Sequence, residues 1–197
     1  MIRAIVLAAG ESRRMGTPKL LLPFGEVTMI EAVVHSLLRS KVDKVLVVLG
    51  SDREKVMPLL AGKDVDTVMN HRYRDGMLSS IQAGFQALPQ NTRAVLVCLG
   101  DQPLIPVSVV NLMIECYKKT KRGIILPIYK KRRGHPILID MRYKDEVLAL
   151  SPDIGLRALT HNHPEEVEEV EVDSARILQD IDYPEDYNRE LSSKEEN

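Results

Sequence analysis

Three stretches of this 197-residue chain carry residue types that handle phosphate and metal ions. The first is Leu7-Ala8-Ala9-Gly10-Glu11-Ser12-Arg13-Arg14-Met15-Gly16-Thr17-Pro18-Lys19. Small residues there let the backbone approach a ligand, and the N–H groups of such a turn bind anions. Arg13, Arg14 and Lys19 add charge that suits a triphosphate. The spacing is wrong for a P-loop, which needs Gly-x4-Gly-Lys-Ser/Thr. Here five residues separate Gly10 from Gly16, and the lysine arrives three later. The Gly-x-Gly-x-x-Gly dinucleotide fingerprint is absent. On composition alone, an ordinary strand-to-helix turn with solvated arginines explains the stretch equally well.

The second stretch is Gly100-Asp101-Gln102-Pro103, directly after the apolar run Ala94–Leu99. Open α/β sheets bind ligands beyond the carboxyl ends of their strands. A carboxylate placed there can hold Mg²⁺, which takes one or two carboxylates plus phosphate oxygens. A turn in which Asp101 bonds its own backbone is the plainer alternative. The third is Asp180-Ile181-Asp182-Tyr183-Pro184-Glu185. Asp182 can complete a metal site, and Asp182 with Glu185 also reads as the capping box of a last helix.

Two further stretches suit an acceptor. Lys130-Lys131-Arg132-Arg133-Gly134-His135-Pro136 is a basic hairpin tip, either solvated surface or a clamp for an anion. Asn70 to Ser80 follows one element and opens another, so Asn70, Ser79 and Ser80 can contact a base or acceptor or simply cap a helix. His35, His161 and His163 show no metal-ligand spacing.

Alternating elements must position these residues. Ile2–Ala8, Lys44–Leu49 and Ala94–Leu99 are short continuous apolar runs, the signature of strands buried on both faces; Val65–Met69 is a weaker one. Thr28 to Glu31 and Ser51 to Glu54 read as capping boxes opening two helices. Gly76–Leu88 reads as a third helix, and Val107–Tyr117, after Pro106, as a fourth. This order implies βαβ units and a parallel sheet. The second half changes style. Gly123–Tyr129 and His135–Ile139 read as strands, Tyr143–Leu150 and Pro152–Thr160 as short helices with Ser151 capping the latter. Val167–Val172 reads as a half-exposed edge strand and Pro184–Leu191 as the last helix. The expected architecture is a single Rossmann-like three-layer α/β/α domain over residues 1–191, mostly parallel with an antiparallel C-terminal part, followed by a disordered tail at 192–197.

Bulk properties narrow the class. With 27 basic and 28 acidic residues the net charge is −1, which argues against general nucleic-acid binding. Hydrophobic residues at 44% suit a globular domain, and no apolar run is long enough to span a membrane. The two cysteines, Cys98 and Cys116, sit in apolar runs and read as core residues, not as a disulfide framework or zinc site. With no signal-peptide pattern at the N-terminus, these features point to the cytoplasm.

The order of the motifs is more specific than any one of them. The chain resembles the MobA-like nucleotidyltransferases, and within them most closely the molybdenum cofactor cytidylyltransferases. The resemblance runs from LAAGESRRMGTPKLLLP through GMLSSIQAG, GDQPLI and RRGHPILI to DIDYPEDY. The narrower assignment rests on LAAG, where guanylyltransferase relatives usually carry LAGG, and on RRGHP. The resemblance implies that Leu7, Ala8, Ala9 and Gly10 hold the nucleotide, with Arg14 and Lys19 on its phosphates. Gly76 and Ser80 complete that site, Ser80 near the cytosine. Asp101 is the implied Mg²⁺ ligand and Asp182 a second. Lys19, Arg14 and Asp101 carry the catalysis, and Asn70, Gly134 and His135 lie near the acceptor. One departure is Tyr183, where relatives commonly carry Thr before the proline.

The reaction so implied transfers CMP from CTP to a molybdopterin-type molybdenum cofactor and releases pyrophosphate. Two alternatives stay open. The acceptor can be another phosphorylated molecule, such as a sugar phosphate, with another NTP as donor. Or the chain is a non-catalytic molybdenum-cofactor chaperone serving a molybdenum hydroxylase. A NAD-dependent enzyme fits poorly without the glycine fingerprint.

Overall fold

In the computed structural model, which describes residues 1–12, 15–181 and 183–195, the apolar runs form the centre of an eight-stranded sheet. The strands are β1 (Ile2–Ala8), β2 (Pro23–Phe24), β3 (Val27–Thr28), β4 (Lys44–Leu49), β5 (Val65–Met69), β6 (Ala94–Leu99), β7 (Ile124–Tyr129), β8 (Arg132–Arg133), β9 (Ile137–Asp140) and β10 (Val167–Glu171). The helices are α1 (Met29–Leu38), α2 (Arg53–Leu60), α3 (Met77–Ala87), α4 (Val107–Thr120), α5 (Lys144–Ala149), α6 (Arg157–Asn162) and α7 (Pro184–Glu195). The main sheet runs β10-β7-β9-β6-β1-β4-β5, with β8 hairpinned onto β7 and β2-β3 forming a small separate ladder.

β1 pairs in parallel with both β4 and β6, and β4 with β5. β9 is antiparallel to both β6 and β7, so β7 again runs with β6, and β10 is parallel to β7. The antiparallel character of the C-terminal part therefore comes from β9, slotted between two strands of the common direction, together with the short β8. Edge strand β10 pairs with β7, as its alternating acidic pattern anticipates. One consequence matters for chemistry: β1, β4, β5, β6 and β7 all end at the same edge of the sheet.

Alternation along the strands divides the core into two layers. Ala4, Val6 and Ala8 face one cluster with helices α1, α2 and α4; Ile5, Val95 and Val97 face the other, with α3, α5 and α6. Gly84 of α3 lies so close to β1 that an added Cβ would stand 2.8 Å from Ile5 Cδ1.

Local signals held in some places and yielded in others. Glu31 accepts from both the N–H and the hydroxyl of Thr28, at 3.0 and 2.8 Å, the expected box at the start of α1. Ser51 opens no such box. Asp52 is the N-cap of α2, without a side-chain cap bond, and the Ser51 hydroxyl goes to the Gly10 carbonyl instead. The helix expected from Pro152 begins only at Arg157, because Ser151–Gly155 folds as a turn closed by Gly155 at φ +70°. At the start of α7 the N–H of Tyr183 is held by Asp186 at 3.1 Å; the box expected between Asp182 and Glu185 involves Asp182, which lies outside the described residues. That helix continues to Glu195, past the Leu191 expected from the sequence, into the segment expected as a disordered tail. Cys98 is buried, but Cys116 is only partly so.

Candidate active site

The loop after β1 and the loop after β6 are brought together by the pairing of their strands. Leu7 and Leu99 stand in register, and Gly100 N–H donates to the Leu7 carbonyl at 3.1 Å. Only glycine fits there, since a Cβ on Gly100 would come 2.7 Å from that carbonyl oxygen. Asp101 therefore emerges beside the loop that begins at Ala9. Gly50 does the same service at the end of β4, where a Cβ would lie 2.3 Å from the Ala9 oxygen. Ser51 then ties this loop down, its N–H to Ala9 O at 3.4 Å and its hydroxyl to Gly10 O at 3.0 Å.

Ser12 shapes the loop from within. It sits at φ +50°, accepts from Met15 N–H at its carbonyl (3.0 Å) and from Lys19 N–H at its hydroxyl (3.1 Å). Lys19 opens a short 3₁₀ turn whose next residue, Leu20, is buried. That anchorage aims the lysine at the Asp101 carboxylate: Nζ lies 2.5 Å from Oδ2, with the two side chains 15% and 18% exposed.

These residues wall a cleft of about 370 Å³. Of the residues singled out from sequence, Leu7, Ala9, Gly10, Lys19, Gly76, Ser80 and Asp101 line it. Ala8 does not; its side chain is packed into the core. Arg14 and Asp182 lie outside the described residues. Ser12, Met15, Leu20, Tyr73, Met77 and Leu99 also face the cleft and were not singled out for this role. Ser12 was within reach of sequence reasoning, as the only hydroxyl between Gly10 and the arginines.

The far wall is the start of α3. Gly76 at φ +95° caps it, a conformation that favours glycine. Ser79 and Ser80 are buried and held from below by Asn70, whose Nδ2 donates to each hydroxyl at 2.9 Å. Asn70 Oδ1 accepts from Arg72 N–H at 2.9 Å. Asn70 is thus a buried strut under the cleft, outside its surface.

Gly134 and His135 line a different cavity, of about 320 Å³, which shares Met77 with the first. Gly134 packs so closely on the crossing chain that a Cβ would meet Ile177 O at 2.2 Å. His135 N–H donates to the same oxygen at 3.0 Å. Burial pushes the His135 imidazole below its usual pKa, against the pull of the Asp180 and Asp101 charges. Asp180 also accepts from Gln102 Nε2 at 2.6 Å, and Ile181 N–H reaches Asp101 O at 3.3 Å. The segment leading to Asp182 is thereby stitched to the Asp101 loop.

Asp101 Oδ1 is buried and has no hydrogen-bond donor among the described residues. An orphaned carboxylate oxygen inside a protein calls for a cation or a ligand. The donor is hard and anionic, which suits a divalent ion such as Mg²⁺. Among the described residues no three His, Cys, Asp or Glu side chains converge as a metal cage. An ion that retains waters and takes phosphate oxygens needs none. Burial pushes the Cys98 thiol up to about 12, which removes it as a nucleophile. No described helix is long and apolar enough to cross a membrane.

Comparison with known proteins agrees with this geometry. Residues 4–167 match the MobA-like NTP transferase domain. The chain is 29% identical to nicotine blue oxidoreductase of Paenarthrobacter nicotinovorans over 96% of both chains. It is 26% identical to molybdenum cofactor cytidylyltransferase of Escherichia coli, over 94% of this chain and 93% of that one. The crystal structure of Rv0371c from Mycobacterium tuberculosis superposes with a TM-score of 0.87 at 28% identity, covering 97% of each chain. A structure of that protein in complex with manganese gives a TM-score of 0.82 at 26% identity over the same shares.

Proposed function

We propose, from the premise that the chain belongs to the MobA-like NTP transferase family and is a nucleotidyltransferase, that it transfers CMP from CTP to a molybdopterin-type acceptor. The observation that carries the reading is the meeting of Lys19 and the half-orphaned Asp101 carboxylate in one cleft with the Ala9–Gly10 backbone. The Escherichia coli relative at 26% identity suggests both base and acceptor.

In the proposed reaction, an oxygen of the acceptor's terminal phosphate attacks the α-phosphorus of CTP in line. The new P–O bond forms as the bond to the β-phosphate oxygen breaks, and pyrophosphate leaves with that electron pair. A phosphate monoester has a second pKa of about 6, so the nucleophile is largely dianionic at pH 7 and needs no general base. Among the described residues that line the cleft there is no histidine. Its residues act by placement and charge. The Ala9–Gly10 backbone cradles the triphosphate, Lys19 neutralises charge that develops on the transferred and departing groups, and Gly76 and Ser80 border the base. Asp101, with Asp182 as second ligand, would hold a divalent ion, Mg²⁺ in the cell. When bound, that ion supplies Lewis-acid charge neutralisation on the phosphates. Arg14 joins Lys19 on the phosphates.

The first experiment is the shift in melting temperature with CTP, GTP, ATP, UTP and NADH, each with and without Mg²⁺. A ligand at about 100 times its Kd adds roughly 2.7 kcal/mol, which for a chain of this size is on the order of 5–10 °C. The expected result is a Mg²⁺-dependent shift, largest with CTP. A larger shift with GTP or UTP keeps the class and moves the base and acceptor. No NTP shift would sink the transferase assignment and favour a cofactor carrier serving a molybdenum hydroxylase, which has no use for an Asp101 at the phosphates. NADH is included because the Paenarthrobacter relative bears the name of an oxidoreductase. A shift with NADH alone would favour redox chemistry in the same cleft.

A further inference from the structure

Glu11 has the wrong sign for its place. It stands between Gly10 and Ser12, both of which line the cleft, and in the proposed reaction that loop receives a triphosphate. Phosphates repel a carboxylate set among them. The Glu11 side chain is only 26% exposed, so it is not simply turned out into water. Its charge is met from the opposite wall, where Arg74 Nε lies 3.6 Å from Glu11 Oε1. That distance makes an ion pair but is too long for a hydrogen bond. Arg74 is 71% exposed, and a pair so open to water holds weakly.

A compact turn carries Arg74. Tyr73–Asp75 is a 3₁₀ turn in which Asp75 N–H donates to Arg72 O at 2.9 Å, and the Arg72–Asp75 ion pair closes it at 2.8 Å. The Arg74 guanidinium lies over the Tyr73 ring, 5.6 Å from its centre. Tyr73 lines the cleft, and so does Gly76, which joins the turn to α3 at φ +95°. The turn is thus one unit at the mouth of the cleft with a glycine joint behind it. Its charged end reaches across to the phosphate-binding loop.

We propose that Arg74 is a further phosphate-binding residue, which Glu11 holds in reserve across the mouth of the cleft and gives up to the incoming nucleotide. The inference rests on the proposed transferase reading and deepens it. A triphosphate outcompetes a single carboxylate for a guanidinium, because it offers more charge and several oxygens placed for paired hydrogen bonds. Little is lost when so long and exposed an ion pair opens. Arg74 then joins Lys19 on the phosphates, and Tyr73, in the same turn, is drawn over the cleft. Once pyrophosphate has left, fewer anionic oxygens compete and Glu11 takes Arg74 back. The latch therefore favours a triphosphate over a monophosphate and reopens the cleft for product. Two plainer roles predict otherwise. A static brace that orders the loop would weaken nucleotide binding when broken from either side. An incidental surface contact would change nothing when broken.

The test is calorimetric titration of the full-length protein with CTP–Mg²⁺, CMP and inorganic triphosphate, the last probing the phosphate site without a base. Wild type is compared with Glu11→Gln, Arg74→Gln and the double variant. On the scale of an exposed ion pair, Glu11→Gln should bind CTP–Mg²⁺ and triphosphate about threefold more tightly than wild type, and Arg74→Gln about threefold more weakly. CMP should differ by less than about twofold in either variant. Adding Glu11→Gln to Arg74→Gln should gain less than it gains alone, because no latch remains to be opened. Weaker binding in Glu11→Gln overturns the proposal and makes the pair a brace. Unchanged triphosphate affinity in both single variants overturns it and leaves an incidental contact. An equal gain from Glu11→Gln with and without Arg74 overturns it too, since repulsion alone then accounts for the effect. Failure of the transferase reading shows differently: CTP–Mg²⁺ does not bind wild type, while triphosphate still reports on the latch. A wild type that binds neither overturns both.

Discussion

Lys19 Nζ and Asp101 Oδ2 lie 2.5 Å apart, joining two loops whose sequences are 82 residues distant. In the proposed reaction each residue takes a second role. Among the described residues Asp101 Oδ1 is buried without a hydrogen-bond partner, and Lys19 lines the same cleft as Ala9 and Gly10. Without ligand the pair offsets the cost of holding two charges in a partly desolvated cleft. In the proposed reaction nucleotide and metal give both charges stronger partners. In the proposed reaction the ion pair is a resting arrangement that keeps the two side chains in position.

Asp101→Ala should lower turnover by about 100-fold or more, the scale seen when a preorganised electrostatic contact is removed. The fold should survive, since Asp101 lies past the end of β6 and its side chain contributes nothing to the core. Pyrophosphate release measured alongside far-UV circular dichroism separates the two effects. Full activity would remove Asp101 from any metal site.

Lys19→Ala tests a contact specific to the transition state. If Lys19 stabilises charge appearing on the leaving pyrophosphate, kcat falls even at saturating CTP. Steady-state kinetics over a range of CTP concentrations gives the answer directly. A rise in KM with kcat unchanged would make Lys19 a binding residue only.

Much of this site was legible in sequence because short-range rules govern it. The continuous apolar runs before Ala9 and Gly100 could only be buried parallel strands, and a carboxylate after such a strand lands at the carboxyl edge. Ser51 misled because its capping signal competes with a tertiary partner, the Gly10 carbonyl, that lies 41 residues away. The helix expected from Pro152 yielded to a turn at Gly155, a residue suited to positive φ. Insertion of β9 between β6 and β7 depends on long-range pairing that local periodicity does not encode. The same is true of the cavity lined by Gly134 and His135, whose walls come from β6, β7, β9, α3 and α6. Asn70 drew attention as a polar residue after a strand, and the structure places it buried beneath the cleft.

Two glycines separate packing from ligand approach. Gly134→Ala must displace backbone, since its Cβ would stand 2.2 Å from Ile177 O; a loss of about 1–3 kcal/mol is expected. Gly10→Ala meets nothing within 4 Å and sits at no left-handed φ, so stability should change by less than about 0.5 kcal/mol. Because Gly10 faces the cleft, its added methyl should instead raise the KM for nucleotide. Urea denaturation of both variants, with kinetics on the second, checks the pair. A strongly destabilised Gly10→Ala would mean that this glycine serves the fold.

Asn70 offers a test of support against contact. The three hydrogen bonds of its side chain, to Ser79 Oγ, Ser80 Oγ and Arg72 N–H, are all internal, and the residue is only 3% exposed. Asn70→Ala removes this partner from Ser80 Oγ and Arg72 N–H, while Ser79 Oγ keeps its bonds to the Arg72 and Gly76 carbonyls; the expected cost is about 1–3 kcal/mol. For a chain of this length that is a fall in melting temperature of roughly 2–4 °C per kcal/mol. The start of α3 should loosen with it, so the CTP-induced shift should shrink in the same variant. Differential scanning calorimetry with and without CTP–Mg²⁺ reads both quantities. An unchanged melting temperature, combined with a selective loss of acceptor binding, would return Asn70 to the role of a direct acceptor contact.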